Sequence, residues 1–462
     1  MFSYLKQGPG FYRQVVLLAT PIILQNLITS TLGMADTFMV GLLGELPMAA
    51  VALANIPLFV VQLFVFGLQS GSTVLLSQYW GQQDKQAINR VMGVTFWIAG
   101  TVSLVFALIL FFLPEQFLSL FGKDPAIVAL AARYGRIAGF SYFLNSFTMV
   151  YIAAFRAMEN PQLGMYILMA SMSCNTFLNW VLIFGKLGAP ALGVEGAALA
   201  TLIARGLEVG IMALHIGLNR GFRLHFRLLF RPGLEMTARF IRYGGPVVCN
   251  ETLWGLGTSV FPTIMGHMDG SQEILAAFTL AGNVEKICAV VGFGLAATAS
   301  ILVGREIGAG RSHSVYQVGL ALDTLAVLCG VVQGALLLLF AYVIAPVWVF
   351  PLFQLSPQAS RIASMMIGIY ALLSPMKDFN NTNIVGVLRG GGDVQASTLI
   401  DLSPLWLAAI PAAFLTGLVF RMGILWVFLS ICLEQVVKAA AGVWRLRTGR
   451  WIHDLTRPTP IR

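Results

Sequence analysis

Apolar runs recur along the chain, broken by short polar stretches rich in Gly, Asp, Asn, Pro and Arg. The runs are roughly 20 to 28 residues long, and an α-helix needs about 20 to cross a bilayer. Read against this punctuation, the sequence predicts about twelve membrane-spanning helices. They begin near Val15, Met48, Val91, Ala129, Gly164, Gly196, Phe240, Ile274, Val315, Arg361, Ala396 and Gly423. GQQDKQAINR at 81–90, FGKDPA at 121–126 and ENPQ at 159–162 read as loops between spans. The first run contains Pro21, Gln25 and Asn26 and no small-residue cleavage site, so it is read as a retained span.

The pattern repeats. At a common offset Pro21 meets Pro246 and Gly41 meets Gly266. After a short insertion AAVALA (49–54) meets AAFTLA (276–281), and FGL (66–68) meets FGL (293–295). Later FRAMEN (155–160) meets LRGGGD (388–393), arginine on arginine. Six spans per half is an even number, so both halves enter the membrane from the same side. The expected fold is an all-α polytopic membrane protein of two six-helix lobes related by a parallel internal repeat, as in transporters. Residues 1–218 form the amino-terminal lobe and 219–239 a basic cytoplasmic linker. Residues 240–445 form the carboxyl-terminal lobe and 446–462 a basic cytoplasmic tail.

Composition agrees: 57% of the 462 residues are hydrophobic and only 11% charged, against about 25% charged in soluble domains. The positive charges decide topology. One side collects Lys6, Arg13, Lys85, Arg90, Arg156, Arg220, Arg223, Arg227, Arg231, Arg305, Arg311, Arg389 and the tail arginines. The other holds only Lys123, Arg133, Arg136, Lys186, Arg361 and Arg421. The positive-inside rule places both termini in the cytoplasm. The net charge of +9 therefore calls for no nucleic acid; the basic stretch at 219–244 suits the anionic inner leaflet. Five scattered cysteines without CxxC spacing indicate neither disulfides nor structural zinc.

Against this background, acidic residues inside spans stand out, because a carboxylate at the bilayer centre costs at least ~2.5–3.5 kcal/mol. Asp36 lies about 22 Å along its helix from Pro21 at 1.5 Å per residue. Gln25, Thr29 and Asp36 share one helix face, which must look into the bundle rather than at lipid. A carboxylate so placed can exchange a proton or bind Na+. Asn175 and Asn179, at i and i+4 in span five, are candidate partners, and amides are also ordinary interhelical glue.

The second half has its own candidates for a substrate or second cation site. Glu251 shares a face with Gly255, Thr258 and Pro262. Ser374, Asp378 and Asn381 form an i, i+4, i+7 stripe in which neighbouring Lys377 could neutralise Asp378. Glu285 and Lys286 read as a local charge pair, and Asp401 and Glu434 as span-end residues that snorkel to the interface. GREIGAGR (304–311) and RGGGD (389–393) follow no strand and fit no Walker pattern, so no ATP engine is indicated.

Taken together, ADTFMVG (35–41), NTFLNWVLIFGKLGAPALGVEGAALAT (175–201) and GFGLAATASILVG (292–304) resemble the multidrug and toxic-compound extrusion (MATE) family over nearly the whole chain. The resemblance implies two lobes around a cavity that opens alternately to each side, with export driven by inward H+ or Na+ and no cofactor. It implies that Asp36 is the amino-lobe cation-site aspartate, with Asn175 and Asn179 as its span-five neighbours. Asp378 falls on an acidic position used by one branch of the family, whereas Glu251 lies about a turn before that branch's glutamate.

The expected function is antiport: export of cationic or amphipathic small molecules against inward H+ or Na+ by a monomer surrounded by membrane lipid. A flippase for a lipid-linked or polyprenyl-linked substrate is the alternative. It would require several cavity-facing Arg or Lys residues, whereas the intramembrane polar groups here are mostly acidic or amide. An intramembrane enzyme would need paired aspartates, a Ser–His pair or HExxH. His215, His225, His267, His313 and His453 all fall at span ends or in loops.

Overall fold

The computed structural model describes residue 4 and residues 7–219 and 221–457. Lys6, Arg220, Arg462 and the rest of the tail beyond Arg457 lie outside the described residues. Among those described, every extended element is helical, and the one β-bridge joins Gly392 to Ile452.

The amino-terminal half comprises α1 (Pro9–Gly41), α2 (Glu45–Gly81), α3 (Lys85–Phe112), short α4 (Pro114–Leu118), α5 (Pro125–Ala157), α6 (Pro161–Phe184) and α7 (Gly193–Leu218). After a short α8 (Phe226–Phe230) come α9 (Leu234–Thr258), α10 (Val260–Gly266), α11 (Ser271–Gly308) and α12 (Ser312–Leu339). A wider π-helical stretch, π1 (Phe340–Val349), prolongs α12 into α13 (Phe350–Leu352), and α14 (Pro357–Asn380) runs on into π2 (Asn381–Leu388). The eleventh span alternates α15 (Val394–Pro404), π3 (Leu405–Ala409), α16 (Ile410–Phe414) and π4 (Leu415–Val419), and α17 (Ile424–Thr448) ends the bundle. Proline lacks an N–H and clashes with the carbonyl four residues back. Pro346 inside π1 and Pro404 just before π3 fit that cause of local widening.

Eleven of these helical stretches are long and apolar enough to cross a membrane. The remaining predicted span, the seventh, is α9 followed by α10. Its helix carries Glu235, Arg239, Arg242 and Glu251 and breaks at Ser259. Span starts fall within several residues of those expected. The loops behave as their composition implies: the carboxylate of Asp84 accepts from the amides of Gln86 and Ala87, and that of Asp124 from Ala126 and Ile127, capping α3 and α5. Pro125, Pro161 and Pro357 sit in the first helical turn, where a missing N–H costs nothing.

Two compact units form. One is Leu24–Val248; the other combines Met1–Ile23 with Cys249–Arg462. The divisions therefore fall inside α1 and α9, not in the 219–239 linker. Within the first unit, Leu53, Leu58, Leu110, Leu118, Ala131 and Ala198 build a core. There α2 meets the opening turns of α9 closely: a Cβ at Gly71 would lie 2.9 Å from Gly244 Cα. Within the second unit, Val15, Leu18 and Ala19 of α1 pack with Leu295, Leu302, Leu322 and Trp451. In the same unit a Cβ at Gly330 of α12 would lie 2.5 Å from Pro375 Cα of α14. Small residues that let backbones approach replace the hydrophobic driving force that lipid removes. Trp97, Phe112, Leu336 and Trp348 remain largely exposed, as lipid-facing side chains should.

Candidate cation site

In the first unit Asp36 meets Asn179: the Asn179 Nδ2 donates to Asp36 Oδ1 at 2.6 Å and to Asn175 Oδ1 at 3.1 Å. Asn175 Nδ2 in turn donates to Thr201 Oγ1 at 3.2 Å, and Thr201 donates to the Ala197 carbonyl at 3.0 Å. The i, i+4 spacing puts both asparagines on one face of α6, facing α1 and α7. Both are only 1% exposed. Asn179 Oδ1 is buried with no hydrogen-bond donor. The cluster thus presents a carboxylate, amide oxygens and a hydroxyl, a donor set that suits a hard monovalent cation or a proton rather than a soft metal. Among the described residues no group of three or more His, Cys, Asp or Glu could hold a metal ion.

The structure does not bring Gln25 and Thr29 to this cluster. Gln25 Nε2 donates to the Pro161 carbonyl at 2.5 Å, and Arg156 Nη2 donates to Gln25 Oε1 at 2.7 Å. Thr29 turns its hydroxyl onto the Gln25 and Asn26 carbonyls of its own helix. Eleven residues of helix separate Gln25 from Asp36, so a shared face does not make a shared site. Pro21 lies in the α1 stretch that belongs to the second unit. Sequence reasoning missed Thr201, and also the Arg205–Glu208 pair at 2.5 Å on α7, whose arginine acts electrostatically on Asp36.

In the second unit Glu251 has a cationic partner. Arg389 Nη1 donates to it at 2.6 Å, and Arg389 Nη2 stands 3.9 Å from Asp401. Asp401 also accepts from Lys438 at 2.6 Å and Asn250 at 2.8 Å, and Lys438 reaches Glu434 at 2.5 Å. Two expectations are thereby corrected. Asp401 and Glu434 do not snorkel to an interface but belong to a buried network, because Lys438, one turn from Glu434, bonds both. Arg389, counted among the cytoplasmic loop charges, is 1% exposed. The aligned arginines of the repeat do equivalent work: Arg156 holds the second part of α1 through Gln25, and Arg389 holds the second part of α9 through Glu251.

Asp378 does not join Glu251, nor does Lys377 neutralise it. Lys377 Nζ bonds Glu285 at 2.5 Å and lies over the Tyr370 ring, which also removes Lys286 as the partner of Glu285. Asp378 is buried against Gly292 of α11, and its Oδ2 has no donor. Asn381 opens π2, where the backbone leaves the α register, so it does not continue the Ser374–Asp378 stripe. A buried carboxylate with no cationic partner also escaped the sequence reading: Asp323 of α12, 3% exposed, which accepts from Asn383 of π2. Its signal was the one that marked Asp36, a lone aspartate in an apolar run.

The MatE family model matches residues 21–181 and 247–415, one stretch in each half. A probable multidrug resistance protein NorM of Thermotoga maritima is 25% identical over 447 residues, covering 96% of this chain and 94% of that protein. A Bacillus cereus protein of the same description is 27% identical over 407 residues, 87% of each chain. Among solved structures, the Vibrio cholerae MATE transporter VcmN in the bent form superposes with TM-score 0.83 at 19% identity, covering 96% of this chain and 99% of its own. The eukaryotic MATE transporter AtDTX14 gives 0.82 at 19%, covering 96% and 97%. These likenesses carry the helical fold. With both halves matched by the family and a bundle of membrane-crossing helices to match, the chain belongs to the MatE family of multi-pass membrane transporters for multidrug efflux.

Proposed function

We propose that the chain is a cation-coupled antiporter of the bacterial inner membrane, with both termini cytoplasmic, acting as a monomer. It exports organic cations and amphipathic drugs in exchange for inward H+ or Na+. The observation that carries this reading is the Asp36–Asn179–Asn175–Thr201 cluster. Uptake of a cation at Asp36 removes its negative charge and the reason for Asn179 to aim its amide N–H groups at it. The amide can then turn its unpartnered Oδ1 inward. Asn179 and Asn175 are coupled through the same hydrogen-bond chain, so occupancy at α1 is felt across α6 and α7. A cation can bias alternating access only by its differential affinity for the two states, and a rearranging amide supplies such a difference.

The energetics agree. Moving one positive charge outward against 100 mV costs ~2.3 kcal/mol, and one inward monovalent cation per exported monovalent drug cancels that electrical term. The ion's concentration gradient is left to drive export. The NorM relatives, described as probable multidrug resistance proteins, support drug as the cargo class. The second unit's network, with Glu251, Asp401 and Glu434 against Arg389 and Lys438, leaves one acid in excess and so favours cationic cargo. A lipid-linked anionic head group would need cations that are not already committed to carboxylates.

The test is transport of a fluorescent organic cation by proteoliposomes, under a pH gradient and then under a Na+ gradient at clamped pH. Wild type is expected to respond to one gradient and Asp36→Asn, folded, to neither. Asp36→Asn transporting like wild type would sink the proposal.

A further inference from the structure

In the second unit each of Glu251, Glu285, Glu306, Asp393, Asp401 and Glu434 is held by a Lys or Arg. Asp323 is not. It lies about 16 Å along α12 from its start, at 1.5 Å per residue, among buried Leu322 and Ala326. Its sole polar partner among the described residues is Asn383, whose Nδ2 donates to Asp323 Oδ2 at 2.8 Å. Two oxygens of this same pair are buried without a donor: Asp323 Oδ1 and Asn383 Oδ1. A carboxylate can only accept, so an ionised Asp323 leaves both orphaned. A carboxylic acid facing a primary amide can do better. The amide N–H donates to one acid oxygen while the acid O–H donates back to the amide oxygen, and a single proton satisfies both.

We propose that Asp323 and Asn383 form a proton-binding site in the second unit, separate from Asp36. The proton sits on Asp323 Oδ1 and is shared with Asn383 Oδ1. The surroundings are built for it. Gly442 of α17 leaves room for the amide, since a Cβ there would stand 2.9 Å from Asn383 Oδ1. Most charged groups on the packed elements are engaged elsewhere. On α11, Glu285 pairs with Lys377 and Glu306 with Arg305 and Arg311. On α14, Asp378 faces α11. On α17, Glu434 and Lys438 pair with each other and Arg445 with Asp393. Asp454 of the tail pairs with Arg457, neighbouring His453 bonds Gly391 through its backbone N–H, and His313, Tyr316 and Cys329 are the other titratable groups along α12. Deprotonation leaves a buried anion on one hydrogen bond and the Oδ1 of Asn383, which lies in π2, without a donor. A π-helical segment is a common seat of functional rearrangement, so loss of this proton bears directly on the part of α14–π2 that also carries Asp378.

The inference does not rest on Asp36, and the experiment keeps them apart. Infrared spectra of the full chain in lipid bilayers are recorded across pH in an Asp36→Asn background, in choline chloride. A carbonyl-stretch band of a protonated carboxylic acid is expected, persisting in that background and disappearing in Asp36→Asn/Asp323→Asn. Gly442→Ala, which keeps Asp323 but crowds the amide, should shift the band and lower the pH at which it vanishes. That variant serves if Asp323→Asn does not fold. A spectrum in which neither substitution alters any protonated-acid band overturns the proposal. So does a band that responds to added NaCl at fixed pH and not to pH.

Discussion

Replacing Arg389 by Met probes how much of the second unit hangs on one guanidinium. The side chain is 1% exposed and donates to Glu251 at 2.6 Å. Its loss is not shared equally by its two acidic neighbours. Asp401 keeps Lys438 at 2.6 Å and Asn250 at 2.8 Å, and it stood 3.9 Å from Arg389 in any case. Glu251 keeps no hydrogen-bonded cation. Removing one partner of a buried ion pair destabilises by about 3–5 kcal/mol, chiefly because the other charge is left uncompensated. That is roughly two to three and a half decades in the unfolding equilibrium. Since the cost is the stranded Glu251, removing it as well should restore most of the loss. Arg389→Met/Glu251→Met should come within about 1–2 kcal/mol of wild type, because a well-packed apolar replacement of a buried pair is often close to neutral. The assay is a double-mutant cycle on reversible unfolding in mixed micelles, where contacting residues show interaction energies of about 0.5–3 kcal/mol or more. If Arg389→Met costs under about 1 kcal/mol, or if the double variant is as unstable as the single, the pair does not carry the network and the reasoning fails.

Two further predictions concern other parts of the molecule. Asn179→Leu deletes the charge-assisted bond that favours the empty, ionised Asp36, worth about 1.5–3 kcal/mol, and should tighten proton binding there by roughly ten- to a hundredfold; transport rate against pH would show it, and an unchanged half-saturation would refute it. Trp451→Ala removes a fully buried side chain that packs on Leu446 and Val387 and donates to the Leu446 carbonyl at 3.1 Å. It should cost about 3–5 kcal/mol, and a thermal midpoint within a degree or two of wild type would count against a structural role for the tail.

Why some of this was legible in the sequence and some was not follows from where the partners lie. Spans and loops are local: apolar length, a capping Asp84 or Asp124, a first-turn Pro161. Each acts within a few residues, so each can be read from a few residues. Asp36 could be singled out because an unpaired charge in an apolar run is costly wherever its partners are. Pairing is different. Arg389 finds Glu251 at a separation of 138 positions, and Lys377 finds Glu285 at 92. Adjacent Lys377 and Asp378 diverge because successive helical residues point about 100° apart. The Gln25–Thr29–Asp36 stripe failed for the complementary reason. Periodicity gives direction around a helix, while a site also needs proximity along it. Asp323 carried the same local signal as Asp36, but its amide partner is 60 positions away in a π-helical stretch whose register no α-helical wheel describes.

The positions at which the chain divides into compact units have a consequence for the duplication itself. The opening turns of α1 serve the core built by the second half, and the opening turns of α9 serve the core built by the first. Each six-span repeat is thus short of half a helix that the other repeat provides. A gene cut at the basic linker would encode two polypeptides that each carry the other's missing piece, so neither should mature without its counterpart. A single-repeat ancestor with this arrangement could have folded only in pairs, exchanging its leading segment. Fusion of two copies would then have made an obligatory partnership permanent, leaving each half free to diverge: amides around Asp36 in one, a lattice of opposed charges around Arg389 in the other.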